Sequence, residues 1–164
     1  NIAPAGLTIV IIRDDLLYDP LPGTPIMLNY KKLAKAESMY NTPPCWPIYV
    51  AMLVLEWIEA TGGLVAMEKR NREKAAILYD YLDGSSFYKT GIVKEDRSIM
   101  NVTFRTGDDE LDAKFAKESA AAGMSNLKGH RDAGGMRASI YNAMPKEGIE
   151  TLVAFMKEFE NKNS

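Results

Sequence analysis

Residues 129–145, GHRDAGGMRASIYNAMP, gather the side chains of this chain best suited to holding an anion. His130, the only histidine, stands beside Arg131, and Arg137 follows behind the Gly134-Gly135 pair. A guanidinium offers a planar fork that pairs bidentately with carboxylate or phosphate, and a neighbouring imidazole adds a further donor. From residue types alone, a surface turn with solvated charges explains the segment equally well. Asn41 and Thr42 form a second polar pair, an amide and a hydroxyl just ahead of Pro43 and Pro44. Those prolines remove two backbone donors and bias Thr42 toward extended backbone, so the loop is stiff. On residue types alone it is a rigid turn before a helix.

Other chemistries have less support. One histidine and one cysteine, Cys45, are too few for the usual metal ligand sets, and no CxxC, HExxH or GxSxG occurs. We therefore expect no metal site. Neither Gly62-Gly63 nor Gly134-Gly135 sits between a strand and a helix in the order a phosphate loop needs. Trp46, Trp57 and the methionines read as core. The net charge is -2, and basic residues are mixed with acidic ones, as in residues 108–117, without forming a stripe. That pattern gives no electrostatic case for nucleic acid or for an anionic membrane. The longest apolar stretch, residues 48–55, stops at Glu56, far short of the ~20 residues that span a bilayer. A lone cysteine excludes an internal disulfide and fits a reducing, cytoplasmic setting.

The elements that must position these residues follow from patterning. Leu7-Thr8-Ile9-Val10-Ile11-Ile12 is a continuous apolar run closed by Arg13-Asp14-Asp15. Such a run suits a strand buried on both faces, as in the parallel sheet of an α/β domain. Its neighbours would have to come from outside this chain. Residues 19–25 are rich in proline and turn-forming, and a short helix is expected within residues 31–39. Pro47 fits a first helical turn, so residues 48–60 read as a mostly apolar helix ended by Gly62-Gly63. A second helix is expected over residues 64–82, with Met67, Ile77, Leu78 and Tyr81 on its apolar side. Beyond it, residues 99–104 read as a strand. Asp108 can cap a helix running to about Ala122, with Gly123 as its stop. A short strand near residues 126–128, a strand over 137–141 and an amphipathic helix over 146–161 complete the chain. Ile149, Leu152, Val153 and Met156 give that last helix its periodic apolar face. The β-α-β-β-α order predicts a small two-layer α+β lobe.

The wording of three stretches adds a resemblance. GGMRASIYNAMPKEGIETLVAFMKEFE is similar to the C-terminus of phosphoserine aminotransferases. Asn1-Ile2-Ala3-Pro4-Ala5-Gly6-Leu7-Thr8 and Tyr40-Asn41-Thr42-Pro43-Pro44 resemble further motifs of that family, in the family's order. The resemblance implies the C-terminal portion of a fold-type I transferase dependent on pyridoxal 5'-phosphate, passing from α/β to α+β. Residues 1–47 would be a remnant of the large cofactor-binding domain, 48–83 connecting helices and 84–164 the small C-terminal domain. It implies that Arg137 binds the substrate α-carboxylate and that His130 and Arg131 recognise the substrate's phosphate. It further implies that Asn41 and Thr42 reach across a homodimer interface to the cofactor phosphate of the partner subunit, so that the active site is shared. The family's Schiff-base lysine comes immediately before the motif that starts here at Asn1. The pyridine-nitrogen carboxylate and the stacking aromatic lie further upstream. No catalytic residue is therefore expected within these residues, and the chain is not expected to catalyse transamination alone. The parent enzyme would move an amino group between glutamate and 3-phosphohydroxypyruvate in serine biosynthesis, giving phosphoserine. Ala3 departs from the family's usual glycine, which bears on the shape of that turn. Two other readings stay open: a free-standing anion-binding regulatory module, and a dimerisation module built on the helix at residues 48–60.

Overall fold

In the computed structural model, which describes residues 1–164, the local signals fix most element ends. Helix α1 spans Tyr30–Lys35 and is capped by Asn29, whose side chain accepts from the Lys32 N–H. Helix α2, Cys45–Ala60, carries Pro47 in its first turn, where the missing N–H costs nothing. Helix α3 follows almost at once, over Gly63–Gly84. Strand β1 is Asn101–Phe104, helix α4 is Asp109–Ala121, strand β2 is Met136–Ser139 and helix α5 is Lys146–Asn163. Asp108 caps α4 as the sequence predicts, with one carboxylate oxygen accepting from the N–H groups of Glu110 and Leu111.

The chain divides into two compact units, Ile2–Ala60 and Thr61–Ser164, with Asn1 grouped with the second. The division falls between α2 and α3, within the residues 48–83 expected to form connecting helices.

In the Thr61–Ser164 unit, β1 and β2 pair antiparallel, Val102 opposite Ala138 and Thr103 opposite Arg137. Alternation along both strands turns Val102, Phe104, Met136 and Ala138 into the core. Helix α5 adds Ile149, Leu152, Val153, Met156 and Phe159 at helical spacing, and α3 adds Ala75, Leu78 and Leu82. At the centre Phe115 of α4 meets Phe104, Phe155 and Phe159 edge-on, with ring centroids 5.7, 5.2 and 5.1 Å away. Such pairs add about 0.5–1.5 kcal/mol each beyond the area they bury. Tyr88 joins them and donates its hydroxyl to the Met156 carbonyl at 3.0 Å, which satisfies the one polar atom it brings inside. Burial there pushes its phenol pKa well up.

Three expectations are corrected. Residues 7–12 form no strand: Ile9 is 60% and Ile11 97% exposed, and no ladder forms along them. A run of that composition needs neighbours on both faces, and this chain supplies none. The strand expected at residues 126–128 shrinks to a single bridge between Lys128 and Met136. Trp46, Trp57 and several methionines, Met27, Met39 and Met52 among them, lie at the surface; Met67, Met136 and Met156 are buried. No single helix is long and apolar enough to cross a membrane.

Candidate functional site

Each unit holds one of the two groups of residues singled out by sequence. In the Thr61–Ser164 unit, the histidine segment folds back on itself as a narrow loop. The Arg137 N–H donates to the Leu127 carbonyl and the Gly129 N–H to the Gly135 carbonyl, both at 2.8 Å. At the tip, the N–H groups of Ala133 and Gly134 both donate to the His130 carbonyl. This closure requires glycine at two places. A Cβ on Gly129 would collide with the Gly134 carbonyl oxygen, and Gly135 combines φ +64° with the Phe104 carbonyl 2.8 Å from where a Cβ would sit.

The three candidate ligand residues occupy different surroundings. Arg137, second in β2, is half-buried and held by the sheet opposite Thr103. Its Nε is buried and has no hydrogen-bond partner. A buried guanidinium N–H left unpaired is costly, and an incoming carboxylate or phosphate oxygen would satisfy it. His130 and Arg131 stand in the exposed turn, their side chains 60% and 89% accessible. The His130 Nδ1 accepts the Asp132 N–H at 3.3 Å. In the neutral ring this places the proton on Nε2, which remains a donor. Asp132 also sits beside both side chains, 3.5 Å from His130 Nδ1 and 3.5 Å from Arg131 Nε. The loop therefore carries its own carboxylate, which a bound anion would have to displace.

The structure adds Arg105, which sequence reasoning missed. Its Nη2 donates to the Ala133 carbonyl at 2.9 Å, and its side chain lies against Gly134 and Gly135. Arg105 thus braces the turn bearing His130 and Arg131. The sequence shows only an arginine following a strand; the contact joins residues far apart in the chain.

In the Ile2–Ala60 unit, Asn41 and Thr42 line a cavity of about 640 Å³ together with Gly6, Leu7 and Thr8. The Asn41 amide reaches only the Met27 sulfur, at 3.3 Å. A thioether is a weak acceptor, so the amide stays available to a ligand. Both residues are exposed, and the stiff Pro43-Pro44 step leads directly into α2. Thr8 brings a further hydroxyl-bearing residue to the same cavity, and only its place in the first motif marked it in the sequence.

Comparison with known proteins agrees with these motifs. The chain is 55% identical over its whole length to a phosphoserine aminotransferase of Mannheimia succiniciproducens and covers 45% of that protein. It is 54% identical to one from Nitrosomonas europaea, again covering 100% of this chain and 45% of the relative. A solved structure, phosphoserine aminotransferase from Bacillus circulans subsp. alkalophilus, superposes with a TM-score of 0.95 at 45% identity, over 100% of this chain and 46% of that one. The chain thus spans a little under half the length of the relatives it matches. The aminotransferase class-V family model matches residues 1–152, and the chain belongs to that family.

Proposed function

We propose that this chain is the substrate-recognition and dimer-contact part of a phosphoserine aminotransferase. The whole enzyme would transfer an amino group between glutamate and 3-phosphohydroxypyruvate with pyridoxal 5'-phosphate, giving phosphoserine and 2-oxoglutarate. The observation that carries this reading is Arg137: a guanidinium held on a strand, with its buried Nε unpaired. Both substrates of such a reaction carry an α-carboxylate, and one fixed fork can serve them in turn.

His130 and Arg131 act on the substrate's phosphate, supported by their place on a braced turn six and seven residues before Arg137 along the chain. Their exposure leaves both side chains free to move onto a ligand. Asn41 and Thr42 suit the cofactor's phosphate, as an available amide and a hydroxyl on a stiff loop beside a cavity. In the family's arrangement they do so across a homodimer interface. When bound, pyridoxal phosphate supplies the electron sink that lets the substrate's α-proton leave. The group that moves that proton is a lysine which the family places just before the motif beginning at Asn1. The 164-residue chain is accordingly expected to show no amino transfer alone. The lone, unpaired Cys45 supports a cytoplasmic enzyme.

Replacing Arg137 with alanine in the full-length enzyme tests the reading. The value of kcat/KM for glutamate and for the phosphorylated keto acid should fall together, each by about 100-fold. That corresponds to about 2.7 kcal/mol, the scale of a lost charge-assisted pair. Unchanged kinetics for either substrate would remove Arg137 from the site and the proposed function with it.

A further inference from the structure

Lys74, on α3, is 1% exposed, yet no carboxylate is among its hydrogen-bond partners. Its ammonium instead donates to three carbonyl oxygens, those of Tyr141 at 2.7 Å, Met144 at 3.0 Å and Ile140 at 3.3 Å. All three belong to the loop that leaves β2 and enters α5. One turn earlier on α3, Asn71 is 3% exposed and donates from Nδ2 to the Asn142 Oδ1 at 2.8 Å. Asn142 in turn donates its backbone N–H to the Asn1 Oδ1 at 3.1 Å. A line of hydrogen bonds therefore runs from α3, through residues 140–144, to residue 1.

Stability alone does not explain this choice of residues. Burying an ammonium costs several kcal/mol, and an apolar residue of similar volume is often as good or better for the fold. Burial pushes the Lys74 pKa down, with Arg70 adding to the push. What the ammonium provides, and an apolar side chain cannot, is a fixed geometry for three carbonyls at once. We propose that Lys74, together with Asn71, is a positioning residue for amino transfer: it fixes residues 140–144, these fix Asn1, and Asn1 fixes the backbone to which the reactive lysine is joined. The inference rests on the functional reading above for the identity of that lysine. Arg137 is held separately, by its pairing with Thr103, so the clamp acts on the proton-moving group and leaves carboxylate binding alone.

Two measurements test it. In the 164-residue chain, Lys74→Met should speed hydrogen exchange at the Asn142 amide at least 10-fold, while the amides of β1 keep their protection. Asn71→Leu should have the same local effect. It carries the test if Lys74→Met loses the β1 protection and so fails to fold. Unchanged exchange at Asn142 in the folded variants overturns the clamp. In the full-length enzyme the same substitutions should lower kcat at least 10-fold and leave KM for both substrates within twofold. An unchanged kcat, or a rise confined to KM, overturns the positioning role. If the unaltered enzyme transfers no amino group, the proposed function fails and the catalytic consequence falls with it. Exchange at Asn142 would then still decide the clamp.

Discussion

At Gly135 one carbon atom decides whether the turn bearing His130 and Arg131 can form. With φ at +64° and the Phe104 carbonyl 2.8 Å from the ideal Cβ position, an alanine there is strained by its backbone and crowded by its neighbour. Gly135→Ala should cost about 1–3 kcal/mol, read as a lower urea midpoint. Gly84→Ala is the control: its Cβ meets nothing within 4 Å and its backbone is helical, so the midpoint should stay or rise slightly. Equal losses at the two positions would show that the turn is not under this constraint. At this scale the sequence announced Arg137 through two glycines and a strand pattern. It gave no sign that Nε is buried without a partner, since that depends on the residues packed over β2. Arg105 was illegible for a similar reason: its partner carbonyl, on Ala133, lies across the turn from the other strand.

Elements were legible where their ends carry their own chemistry. Asp108 satisfies two N–H groups at the start of α4 within its own neighbourhood, so its role needs no tertiary information. Asp108→Ala should lower stability by about 1 kcal/mol, measured by urea unfolding, without altering the aromatic core's near-UV signal. Asp83, near the end of α3, is held by Arg97 and Lys94, which lie beyond that helix in the chain. Arg97 first, then Lys94, hold its carboxyl down at about 2, from an ordinary value of 3.8. A depressed carboxylate contributes stability that is complete above the unfolded value and is lost as pH falls through the folded one. The unaltered chain should therefore lose stability between about pH 4 and pH 2, and Asp83→Asn should flatten that window in urea unfolding. An identical pH dependence in the variant would show that the pair does not matter to folding. Residues 7–12 failed as a strand for the opposite reason to Asp108. A strand buried on both faces is defined by its neighbours, and composition specifies the need for them without supplying them.

At the scale of the whole molecule, apolar burial is unevenly shared. The core cluster lies entirely between Ala75 and Phe159. Among residues 2–60 only Ala51 and Ile58 are buried apolar residues, while Ile11, Leu21 and Trp46 are 97%, 81% and 68% exposed. Stability follows buried apolar area, so the two units should not share one unfolding free energy. In the isolated 164-residue chain, amides of α3, α5 and the β1–β2 sheet should exchange only through global unfolding of their unit. Those of residues 2–60 should exchange orders of magnitude faster. A chain of residues 61–164 alone should then keep a cooperative urea transition and the near-UV signature of the rings packed around Phe115. Equal protection across both units, or loss of that signature in the shorter chain, would contradict this account. In a full-length enzyme the expectation reverses for residues 7–12. A parallel sheet supplied from the rest of that enzyme would bury Ile9 and Ile11, and protection there should rise to the level of α5. The same six residues would then report, by exchange alone, whether the chain stands by itself or within a larger fold.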